Sequence, residues 1–150
     1  MTRLPRILAL CLAAVGAAAA SAQTKPDAAI RYRQGLMAAM GWNVDQLGAN
    51  LRSAGGPDLK DAATRAERLA AFAPQIAEGF PKGSDKGAVT DAGPEIWSDA
   101  AGFQAALDDY AAASKKFADV VKSGDAAAIK DTYRKVVASC KACHDKYKAD

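Results

Sequence analysis

From residue 26 onward the apolar positions recur at three- and four-residue steps, with no stretch of strict alternation, so the chain predicts helices throughout. Glycine, proline and aspartate divide them into four. The first opens at Pro26 and Asp27 and sets Ile30, Met37, Val44 and Leu51 seven residues apart, with Met40 and Leu47 between them. The segment SAGGPD, residues 53 to 58, ends it. In the second, Leu59, Ala62, Ala66, Leu69, Ala73 and Ile76 form the buried stripe, and its many alanines let a neighbouring helix approach closely. Residues 77 to 94 carry four glycines, two prolines and no period, a loop long enough to be expected to cover or do something. Pro94 and Glu95 then open the third helix, whose stripe runs Ile96, Phe103, Tyr110 and Phe117, with Ala100, Leu107, Ser114 and Val121 interleaved. Lys122, Ser123 and Gly124 close it, and Asp125 caps a fourth that buries Ala126, Ile129, Tyr133, Val136, Cys140, Cys143 and Tyr147. The expected fold is all-α, an antiparallel four-helix bundle over residues 23 to 150.

Residues 1 to 22 do not fit that pattern. Two arginines, an apolar run from Ile7 to Ala20 and a final Ala20-Ser21-Ala22 make a signal peptide cleaved after Ala22. The run is short for a bilayer span, so no membrane association is expected after cleavage. The expected location is the periplasm of a Gram-negative bacterium. Of 20 Lys and Arg against 17 Asp and Glu, Arg3 and Arg6 leave with the leader, so the mature chain is close to neutral and offers no stripe for nucleic acid. Cys11 leaves too. Only Cys140 and Cys143 remain, in a compartment where idle thiols oxidise.

Those two cysteines and the chain's one histidine lie within five positions, Cys140-Lys141-Ala142-Cys143-His144. On a helix, residues three apart share a face, so both sulfurs can meet the two vinyl groups along one porphyrin edge while His144 turns its imidazole under the iron. One covalent haem c is the reading, with His144 the iron ligand. A dithiol redox pair would sit at a helix start after a strand, and a zinc site would need a fourth ligand that the mature chain lacks. A disulfide in a haem-free helical interaction module stays open as an alternative, although a continuous helix suits it poorly.

One histidine fills one axial position. In the first helix Arg33 occupies a core-register position, where a cation is costly unless it finds an anion such as a haem propionate; its alternative is to reach solvent at the bundle end. Met37, one turn on, is open to three roles: core filler, sixth ligand to the iron, or a shield over an unfilled sixth position.

The CxxCH close to the C-terminus, IRYRQGLM (30 to 37) and PEIWSDAAGF (94 to 103) together resemble the cytochrome c prime family, the class II c-type cytochromes, over essentially the whole mature chain. The resemblance implies that Arg33 contacts a haem propionate, that Gln34 lies close to the haem, that Met37 faces the distal side and that Lys148, usually an arginine in the family, lies on the proximal side. It implies one-electron transfer and binding of nitric oxide or carbon monoxide at a five-coordinate iron. The residues themselves show no catalytic acid/base pair, so no enzyme is expected. A close branch of the class ligates its iron with a methionine at the Met37 position, which would make the chain a low-spin electron carrier. A homodimer through the first two helices and a redox partner protein are implied as well, the latter with no sequence signal for its identity.

Overall fold

The computed structural model describes residues 25–149. The expected leader, its cleavage after Ala22 and Cys11 lie outside that range. The first helix, α1 (Pro26–Leu51), starts with proline at its first turn, where a missing N–H costs nothing, and Asp27 there pairs with Arg31 at 2.9 Å. The second, α2 (Leu59–Ile76), is capped by Asp58, whose carboxylate accepts from the Lys60 and Asp61 N–H groups at 2.9 and 3.1 Å. A single 3₁₀ turn, Ala77–Gly79, leads into the long loop.

The expected third helix comes in two pieces. A short α3 (Glu95–Ser98) is separated from α4 (Ala100–Val121) by Asp99, whose backbone leaves the helical region at φ −119°, ψ 55°. Its side chain accepts from the Gly102 N–H at 3.1 Å and so restarts the helix as an N-cap. The sequence period hides this break because Ile96 and Phe103 keep their seven-residue spacing across it, and both are buried. The last helix, α5 (Ala126–Tyr147), is capped by Asp125, which accepts from the Ala127 and Ala128 N–H groups.

Helix α4 packs against both α2 and α5, and α1 against α2. The shared core holds Leu47, Leu69, Phe117, Ile129 and Val136, all fully enclosed. Three expected core positions are exposed instead: Leu59, Ala100 and Ala126. Each stands in the first turn of its helix, beyond the span that neighbouring helices cover. In their place the core admits two polar residues that satisfy a donor locally. Thr132 donates to the Ala128 carbonyl at 2.7 Å, and Asn43 to that of Ala39 at 2.8 Å.

Two close approaches fix α5 against the rest. The Tyr133 hydroxyl donates to the Val44 carbonyl on α1 at 2.8 Å, and it fits because residue 48 is glycine: a Cβ there would stand 2.9 Å from that oxygen. At the far end the chain after α5 pairs with the long loop through an antiparallel bridge between Ala92 and Lys148. The Gly93 N–H donates to the Tyr147 carbonyl and the Ala149 N–H to the Asp91 carbonyl, both at 2.8 Å. This clasp closes one end of the bundle.

Candidate functional site

Between α1, α4, α5 and the long loop lies a cavity of about 410 Å³, and all seven residues singled out in the sequence line it: Arg33, Gln34, Met37, Cys140, Cys143, His144 and Lys148. They come from positions more than a hundred residues apart. From α5, one helical turn presents both half-buried cysteines, with His144 next in the chain. Burial pushes both thiols up, with the neighbouring Cys140 adding to the effect on Cys143, so near neutrality each keeps its proton. From α1 come Met37, Met40 and Val44; Met37 and Val44 are only half-buried because the cavity, not packed protein, is in front of them. Ile96, Phe103, Leu107 and Tyr110 supply an apolar back wall.

Arg33 is 3% exposed, so the solvent-seeking alternative does not hold. Its guanidinium donates to the Gly79 carbonyl at 3.0 Å, to the Ser84 hydroxyl and carbonyl at 3.0 and 2.9 Å, and to the Thr90 hydroxyl at 2.7 Å. Its carbon also stands 5.0 Å from the centre of the Phe80 ring. Every one of these partners is neutral. Burial lowers the arginine's pKa, yet the group stays cationic, so a buried positive charge sits at the cavity wall without a carboxylate. Close approach makes this cage: a Cβ on Gly79 would stand 2.6 Å from that of Arg33.

The remaining two candidates lie at the mouth. Gln34 is exposed and donates to the Val89 carbonyl at 3.0 Å, while the Lys148 ammonium stands 3.6 Å from the Asp91 carboxylate. Sequence reasoning missed Phe80 and Thr90, which belong to the aperiodic loop; its length was the one signal that it covers something. Tyr110 was legible as core but not as cavity wall. Its hydroxyl donates to the Leu69 carbonyl at 2.9 Å, and burial, with a smaller contribution from Cys140, raises its pKa strongly. Tyr147, at the end of α5, stacks edge-on against Phe103 at 5.2 Å and donates to Asp99 at 3.1 Å, tying the helix that bears His144 to the break between α3 and α4.

These residues fit a c-type haem. The apolar walls suit a macrocycle, two thiols one turn apart suit its vinyl edge, an adjacent imidazole suits the iron, and an anion-free buried guanidinium suits a propionate. A family model described as Cytochrome C' matches residues 28–148. Cytochrome c' from Rubrivivax gelatinosus is 38% identical over 124 residues, covering 83% of this chain and 96% of the relative. Its solved structure superposes with a TM-score of 0.78 over 83% of this chain and 98% of its own. A nitric oxide complex of a cytochrome c prime variant from Alcaligenes xylosoxidans is 29% identical, with a TM-score of 0.78 over 85% and 98% of the two chains. A further cytochrome c', described by an unusual ligand-controlled dimer dissociation, is 28% identical with a TM-score of 0.79 over 84% and 98%. The chain therefore belongs to the cytochrome c prime family, whose single c-type haem it attaches through Cys140 and Cys143.

Proposed function

We propose that the protein is an exported, periplasmic haem protein that exchanges one electron and binds nitric oxide or carbon monoxide at an iron held by His144 alone. The observation that carries this reading is the cavity: His144, exposed on α5, shares it with thioether, aliphatic and aromatic groups. When bound, the haem would supply a ferric/ferrous couple and an iron able to take a diatomic ligand. The chain's own residues do the rest. The two thiols fix the macrocycle, Arg33 neutralises a propionate, and the apolar walls keep water from the iron. None of this is acid/base turnover of a substrate, so the role is binding and electron exchange. The nitric oxide complex of the Alcaligenes relative supports the gas-binding part. Residues 1 to 22 support export.

A second reading has its own observation. Met37 lines the same cavity as His144, and its thioether is of the kind that ligates haem iron, which would make the protein a low-spin electron carrier. The visible spectrum of the purified mature protein, reduced and then exposed to carbon monoxide, separates the two. The open-iron reading expects a broad high-spin ferrous Soret band that sharpens with the gas. Sharp, split ferrous bands that the gas leaves unmoved would make Met37 the ligand instead.

A homodimer belongs to the same proposal. Trp42 projects from α1 with 63% of its surface exposed, and the relative with ligand-controlled dimer dissociation supports assembly of this kind.

A further inference from the structure

Thr90 is the point where two otherwise separate parts of the site meet. Its hydroxyl oxygen accepts from the Arg33 guanidinium at 2.7 Å and from the Ala92 N–H at 3.2 Å, using both acceptor positions of one atom. Ala92 is the residue bridged to Lys148, and Gly93 beside it donates to the Tyr147 carbonyl. The Lys148 N–H in turn donates to the carbonyl of His144 itself, at 3.1 Å. A path of hydrogen bonds, joined by the peptide links Ala92–Gly93 and Tyr147–Lys148, thus runs from the buried cation on α1, through one loop hydroxyl, to the last turn of the helix that bears His144. No other loop side chain bonded to Arg33 also bonds to the clasp, among the described residues.

We propose that Thr90 is a positioning residue that couples the Arg33 guanidinium to the turn carrying His144, so that the setting of the buried cation is felt by the residue that would hold the iron. The inference rests on His144 being the iron ligand. Two linked elements that share one hydrogen-bonded residue bias each other reciprocally, and cutting the shared bond removes the coupling. Valine at position 90 keeps the shape of threonine and removes the acceptor; serine keeps the acceptor and loses a methyl group.

The test uses haem-loaded mature protein and two readouts, hydrogen exchange at the Gly93 and Ala149 amides and the midpoint potential. Thr90→Val is expected to speed exchange at both amides several-fold. It is also expected to lower the potential, because a loosely held cation favours the less positive ferrous state less. Thr90→Ser should leave both at wild-type values. Arg33→Gln, with Thr90 in place, should speed the same amides, and adding Thr90→Val to it should change little more. Unmoved amides in Thr90→Val, faster exchange with an unmoved potential, or additive effects in the double variant would each overturn the coupling. If Arg33→Gln fails to fold, the valine and serine pair decides alone. The ferric electron paramagnetic resonance spectrum of the wild type scores imidazole ligation separately, and its absence would overturn the axial role and the coupling together.

Discussion

Arg33 carries four hydrogen bonds and a ring contact, all to the long loop and the 3₁₀ turn before it, and it is the residue whose removal should be felt most widely. In Arg33→Ala the Gly79 and Ser84 acceptors lose their donor in a buried place, at a cost of about 2 kcal/mol. If Arg33 serves a propionate as proposed, the same change should also lower the midpoint potential; a thermal melt and a redox titration of one sample check both. The residues that meet at the cavity were legible because their signals are local. Cys140, Cys143 and His144 announce themselves by spacing, and Arg33 by standing on an apolar stripe. Phe80 and Thr90 were not, because nothing periodic places them: each matters only through what α1 brings to it in space.

At the scale of elements, four helical segments and the bounds of α1, α2 and α5 follow from periodicity and caps, whereas the break at Asp99 does not. A seven-residue repeat reports which face is apolar and is blind to one non-helical residue that preserves the face. Asp99 also bonds across to α5, to the Lys146 ammonium at 2.6 Å and the Tyr147 hydroxyl. The Lys146 hydrogen bond, then those from the Gly102 N–H and Tyr147, hold its carboxyl below the usual carboxylate range. A folded-state value below the unfolded one means stability that is complete above the unfolded pKa, about 4, and is lost as pH falls through the lower folded value. The melting temperature of Asp99→Ala should therefore lie below that of the wild type at pH 7, with the gap closing in acid. A gap that does not change between pH 7 and pH 3 would show that the charge on the carboxylate contributes nothing to the loss.

For the whole molecule, the bundle, the cofactor and seven of the cavity's lining residues were readable from sequence, while a surface for the proposed dimer was not. Small residues such as Ala38 and Ala49 on α1 permit close packing, but permission does not select a partner. The exposed Trp42 does give the proposed assembly a place to be tested. Sedimentation equilibrium is expected to show a dimer for the wild type and a monomer for Trp42→Glu, with the visible spectrum of both the same. A wild type that sediments as a monomer at every concentration would remove the dimer from the proposal.

Both sulfur anchors and the imidazole occupy the final turns of α5, and the clasp that secures those turns reaches back to residues 91 to 93. A chain whose synthesis stops before Cys143 still contains α1, α2 and α4, yet it cannot be coloured. Absorbance in the Soret region relative to protein therefore reports the fraction of chains translated through the last helix and loaded, and a ratio of haem to protein below one in a fresh preparation measures truncated or unloaded chains.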